Sequence, residues 1–166
     1  MSSLYLVSNN LNLRKEIFSD YKEDIFNGDV IHFNTIQYFH YFEDHPRNIV
    51  FHNADLGKCD WFGKEKMSYY TQYSIKDRYL LYIQLMNSPS WLPKLNEWKE
   101  HGGNILEYRG KSHLSGSSAG FMCYNYFSDF YNKIYLIGFT FEGSPVHPWE
   151  YEKPAMLNDP KVTLLI

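Results

Sequence analysis

The sequence holds only two cysteines in 166 residues, Cys59 and Cys123. Two cysteines are no disulfide framework. With no Cys-x-x-Cys pair and no Cys/His cluster, nothing points to zinc. A reduced chain is expected, either cytoplasmic or peripheral at a membrane surface. No basic run is longer than two residues and the formal net charge is −3. A binder of nucleic-acid backbones usually carries a basic patch, so that class of partner is excluded. A single nucleotide stays open as a ligand, because backbone amides can hold a phosphate without a basic surface. Long apolar runs are missing too. Leu4–Val7 is the only apolar run near the N-terminus and no basic region precedes it, so neither a signal peptide nor a membrane span is expected there. There is no internal repeat, no Pro/Ser-rich linker and no block of like charge. At about 150 residues per domain, the chain is expected to be one domain over 1–166.

Aromatic residues are abundant: 15 Tyr, 12 Phe and 4 Trp, or 19% of the chain, within a hydrophobic total of 44%. That composition excludes intrinsic disorder. Apolar runs alternate with helical periodicity. Leu4–Val7 predicts a strand, and Leu13, Ile17, Tyr21 and Ile25 predict one helix, capped by Asn10 or Asn12 and stopped at Asn27-Gly28. Val30–Phe33 and Ile49–His52 predict strands, with one or two helical turns around 38–42 between them. Residues 53–78 carry no clear period. Tyr79–Leu85 predicts a strand, Ser90 a cap for a helix presenting Trp91, Leu95 and Trp98, and Ile105–Tyr108 another strand. Ala119, Met122, Cys123, Tyr126, Phe127 and Phe130 fall on one face and predict a helix over 115–131. Lys133–Phe139 predicts the last strand. This alternation implies an α/β fold: a single Rossmann-like domain with a mostly parallel sheet and helices on both faces.

Ligands of such sheets bind beyond the carboxyl ends of the strands. Three loops there carry suitable residues. Ser8-Asn9-Asn10 follows the first strand, and its amides suit ribose or phosphate oxygens; the plain alternative is a turn and helix cap. Ser115-Gly116-Ser117-Ser118 opens the clearest helix, where free amides favour an anion; the alternative is a simple serine cap. After the predicted last strand comes His147, with Glu150 and Glu152 able to orient it as a general base; the alternative is a surface histidine. His32 and His52 alternate within strands and are expected to be structural, and His40, His45 and His101 to lie at the surface. His113 lies just before Ser115 and could face that loop.

In order along the chain, these segments resemble the sialyltransferases, glycosyltransferase families 29 and 42. Leu4-Tyr5-Leu6-Val7-Ser8-Asn9-Asn10 is similar to the family's first strand running into a Gly-Asn-Gly/Ser turn. Asp29-Val30-Ile31-His32-Phe33-Asn34 is similar to Asp-x-Val-hydrophobic-Arg-x-Asn, whose final Asn faces the nucleotide. Leu114-Ser115-Gly116 resembles Thr/Ser-Ser/Thr-Gly beneath the CMP phosphate. Lys133-Ile134-Tyr135-Leu136-Ile137-Gly138-Phe139 resembles Glu-Ile-Tyr-Leu-x-Gly-Phe/Ile, and His147 with Glu152 fits His-x-x-x-x-Glu. The first motif lacks its glycine, with Ser8 and Asn10 flanking Asn9; His32 stands where the second has arginine, and Thr140 where bacterial members often have aspartate.

The resemblance implies an inverting transfer of sialic acid or a related sugar from a CMP-sugar donor to a glycan hydroxyl. It implies no metal and no cofactor beyond the donor substrate. His147 is then the base, with Glu152 in its motif. Ser115, Gly116 and Ser117 hold phosphate, Asn9, Asn10 and Asn34 hold phosphate and ribose, and Gly138 and Thr140 approach the cytosine. Two alternatives stay open: a non-catalytic nucleotide- or glycan-binding domain on the same scaffold, and an unrelated small Rossmann-like hydrolase or regulatory protein.

Overall fold

A computed structural model of the chain describes residues 3–33, 37–42, 44–46, 48–53, 77–83, 100, 104–108 and 116–166. Along the chain run β1 (Ser3–Val7), α1 (Glu16–Asp20), α2 (Lys22–Phe26), β2 (Asp29–Phe33), a 3-10 turn (Phe39–Tyr41) and β3 (Asn48–Asn53). They are followed by β4 (Asp77–Ile83), β5 (Asn104–Tyr108), α3 (Ala119–Phe127), β6 (Lys133–Ile137), α4 (Trp149–Leu157) and β7 (Val162–Leu165). The strands form one sheet in the order β5-β4-β3-β2-β1-β6-β7, and every pairing is parallel. The α/β reading of the sequence, with its parallel sheet, is met.

The period-two alternation of the strands sorts their side chains onto two faces. Leu4 and Leu6 of β1, Ile31 and Phe33 of β2, and Ile134 and Leu136 of β6 pack beneath α3 and Met156 of α4. Tyr5, Val7, Val30 and Ile137 point the other way, onto Ile17 and Phe18 of α1 and Ile25 of α2. Both faces of the central strands are therefore covered, which is the usual condition for a parallel sheet. Tyr5 and Tyr135, paired in register on β1 and β6, stack at 4.7 Å with 6° between ring planes. Burial, the neighbouring Tyr135 and Asp24 push the Tyr5 hydroxyl well above its ordinary range. Cys123 is a fully buried free thiol, raised by the same loss of solvent; Cys59 lies outside the described residues.

Several boundaries differ from the sequence reading. The helix expected across Leu13–Ile25 is two short helices, because Tyr21 leaves helical geometry at φ −110°, ψ 19°. Its expected asparagine cap is absent: Asn10 Oδ1 accepts the Asn12 N–H at 3.0 Å, an Asx turn that competes with capping. Neither stop residue is left-handed; Asn27 stays helical and donates its amide to the Glu23 carbonyl. The helix expected over 115–131 spans 119–127, capped by Ser118. Lys133–Phe139 does not end the fold: β6 stops at Ile137, and α4 and β7 follow. The strand expected at Tyr79–Leu85 is Asp77–Ile83, and the turn at 38–42 is present. The helix expected after Ser90 lies outside the described residues, apart from helical Glu100. No helix among the described residues is long and apolar enough to cross a membrane.

Candidate functional site

From β1 the chain crosses to β2 on one side, while β6 joins β1 on the other and is followed outward by β7. The boundary between β1 and β6 is thus a topological switch point, where open α/β sheets leave a crevice. A cavity of about 340 Å³ lies there, beyond the carboxyl ends of both strands.

The β1 loop forms one wall. Ser8 Oγ donates to the Gly138 carbonyl at 2.8 Å and accepts the Asn10 N–H at 3.3 Å. Asn9 Nδ2 donates to the Phe33 carbonyl at 2.7 Å, and its Oδ1 accepts the Gln37 N–H at 3.1 Å. Asn10 Nδ2 donates to the Gly138 carbonyl at 3.3 Å, while the Asn10 carbonyl accepts the Tyr38 hydroxyl. These side chains tie the end of β1 to the ends of β2 and β6. Gly138 closes the turn after β6 at φ +70°. Thr140 stands exposed on the rim.

The opposite wall is the start of α3. Gly116 has φ +81°, and a Cβ there would stand 2.5 Å from the Val146 carbonyl oxygen, so only glycine fits. Its carbonyl lies 2.6 Å from His147 Nδ1. A carbonyl only accepts, so Nδ1 carries the proton and Nε2 is left as the basic nitrogen of the neutral ring. His147 is partly exposed and packs edge-to-face with Trp149, 4.9 Å between centroids. Trp149 is held in turn by its indole N–H on the Ser144 carbonyl at 3.0 Å.

Ser117 is buried beside this turn, and Ser118 is the cap: its Oγ accepts the Phe121 N–H at 3.1 Å. Glu152 was expected to orient the imidazole. The structure gives its carboxylate to Ser118 instead, Oε1 accepting the N–H at 2.7 Å and Oε2 the hydroxyl at 2.6 Å, with no solvent exposure. The His147 tautomer is set by Gly116, and Glu152 joins α4 to the N-terminus of α3. The amides of Ala119 and Gly120, which border the cavity, belong to the helix turn whose N–H groups have no intrahelical partner.

Aromatic residues that the sequence reading did not single out complete the site. Phe33 and Phe139 meet edge-to-face at 6.2 Å, Phe139 lies 5.9 Å from Phe141, and Trp149 stands beside the histidine. Phe141 is buried at φ +54°, a strained backbone for a bulky side chain. The alternation Phe139-Thr140-Phe141 and the neighbouring Trp149 were the available signals.

Asn9, Asn10, Gly138, Thr140 and His147 therefore line one cavity, with Gly116 bonded to the histidine and Glu152 one layer behind. Asn34, Ser115 and His113 lie outside the described residues. Of the other histidines, His32 is buried edge-to-face on Phe42, His40 is exposed, and His45 bonds the Ile25 carbonyl at 2.9 Å. Among the described residues, no group of three or more His, Cys, Asp or Glu side chains is placed to hold a metal ion. The chain matches no family model, no curated protein and no solved structure.

Proposed function

We propose that this cavity is the donor site of a CMP-sugar-dependent glycosyltransferase, built on a single Rossmann-like domain and acting in the cytoplasm or at a membrane surface. One observation carries the reading. Segments from three distant parts of the chain, at Ser8–Asn10, Ser118–Gly120 and Gly138–Thr140 with His147, meet at the switch point of a parallel sheet. In the reaction, an acceptor hydroxyl oxygen bonds to the anomeric carbon of the donor sugar. The bond from that carbon to the phosphate oxygen breaks, and CMP leaves with the electron pair. His147 Nε2 takes the acceptor proton, its ring held by the Gly116 carbonyl. The Ala119 and Gly120 amides, at the start of α3, receive the charge that develops on the leaving phosphate. Aromatic Phe139 and Trp149 supply flat walls for base and sugar.

A second reading is favoured by a different observation. The side-chain groups of Ser8, Asn9 and Asn10 are engaged in tying strand ends together, as in a binding domain whose first loop is structural. The test is CMP release from CMP-sialic acid, followed by chromatography with and without a glycan acceptor, alongside thermal shift with CMP. A transferase releases CMP, and His147→Asn abolishes release while CMP still stabilises the protein. At 100 times its dissociation constant, CMP adds about 2.7 kcal/mol. Stabilisation without turnover supports the binding domain, and the absence of both rejects the two readings together.

A further inference from the structure

A second cavity, of about 420 Å³, lies on the α1–α2 side of the sheet, against residues that precede β2 and β3. It stands apart from the cleft, which opens beyond the carboxyl ends of β1 and β6, and the two share none of the described residues. Its floor is Phe18, Ile25 and Phe42, all buried. Its flanks are two rings left open to solvent, Phe26 at 54% and Tyr41 at 44% exposure. Each flank carries an imidazole: His45 edge-on to Phe26 at 5.7 Å, and His40 over Tyr41 at 4.2 Å. The bond from His45 Nε2 to the Ile25 carbonyl ties that imidazole to α2. Lys22 and Asp44 also line it. Neither forms an ion pair among the described residues.

We propose that this cavity is a ligand site for a small aromatic zwitterion of the α-amino-acid class. The proposal is independent of the transferase reading. An aromatic ring on Phe18 and Phe42 continues the edge-to-face arrangement those two already make at 5.0 Å. An ammonium group beside Tyr41 and Phe26 gains ring-face attraction, with Asp44 as counter-charge. A carboxylate on the same ligand meets Lys22. Charge complementarity favours the class: among the described residues the lining offers Lys22 to a carboxylate and Asp44 to an ammonium, which matches a ligand with both signs better than a polyanion.

Saturation-transfer NMR titrations of L-phenylalanine test this, against 3-phenylpropanoate, which lacks the ammonium, and phenethylamine, which lacks the carboxylate. Phenylalanine is expected to bind, and each analogue to bind about two- to fivefold more weakly, the size of an exposed ion pair. Lys22→Gln should abolish the difference between phenylalanine and phenethylamine. Asp44→Asn should abolish the difference between phenylalanine and phenylpropanoate. Both replaced side chains are exposed, and far-ultraviolet circular dichroism checks the fold. His147→Asn should leave phenylalanine binding unchanged. No saturation transfer, equal binding of the three compounds, or loss of binding in His147→Asn overturns the proposal.

Discussion

Replacing Glu152 with glutamine tests the junction between α3 and α4. The native carboxylate is fully buried and accepts two bonds from one residue, the Ser118 N–H at 2.7 Å and hydroxyl at 2.6 Å. In Glu152→Gln the amide oxygen keeps one of these. The amide NH₂ then faces Ser118 Oγ, which already accepts the Phe121 N–H, and the hydroxyl loses its acceptor. Losing one charge-assisted bond costs about 1.5–3 kcal/mol, and the lost negative charge at the start of a helix adds about 0.3–1 kcal/mol. A total of about 2–4 kcal/mol lowers the melting temperature of a chain this long by roughly 5 to 15 °C. Urea denaturation followed by circular dichroism measures the first figure and thermal melting the second. Ser118→Ala breaks the same pair from the other side. The double variant should therefore cost less than the sum of the singles, by on the order of 1–2 kcal/mol. A Glu152→Gln cost below about 0.5 kcal/mol, typical of an uninvolved surface site, or strict additivity in the double variant, would refute the junction.

Two more outcomes are expected. Gly116→Ala forces a Cβ against the Val146 carbonyl at a left-handed φ, so it should cost about 2–4 kcal/mol in urea unfolding and broaden the His147 ring signals in NMR; an unchanged unfolding midpoint would contradict the tight turn. Tyr5 and Tyr124 both titrate above their usual value of 10.0, chiefly through burial, with Asp159 adding to the shift at Tyr124. Because their folded values are raised, their contribution is complete below pH 10 and is lost as the pH climbs past it. Unfolding free energy should therefore fall progressively as the pH rises above about 10, and Tyr124→Phe should flatten that fall.

The buried strands were legible because β1, β2 and β6 are short apolar runs, and a parallel sheet covered on both faces needs little else. Their alternation with helical segments gave the α/β class. α4 was not legible: Pro148 precedes it, Pro154 sits inside it, and its exposed face gives little apolar period. β7 has only four residues and one buried side chain. At the site, Asn9, Gly138 and His147 could be placed because strand ends gather at the carboxyl edge. The partners of Glu152 could not. A carboxylate five residues after a histidine says nothing of which serine it will meet across 34 positions. Nor does a run of serines reveal which of them caps the helix.

The place of β1 in the sheet has a consequence for biosynthesis. β1 is made first among the strands, yet its pairing with β6, and the bond from Ser8 to Gly138, wait for residues 130 positions later. At about 5–20 residues per second, one flank of β1 stays open for roughly 6 to 26 s after it is translated. Throughout that interval Leu4, Leu6 and Tyr5 lack the neighbours that bury them, and the nascent chain presents a bare apolar strand edge. The cleft cannot exist as a half-built site on the ribosome; it appears when β6 slots beside the oldest strand.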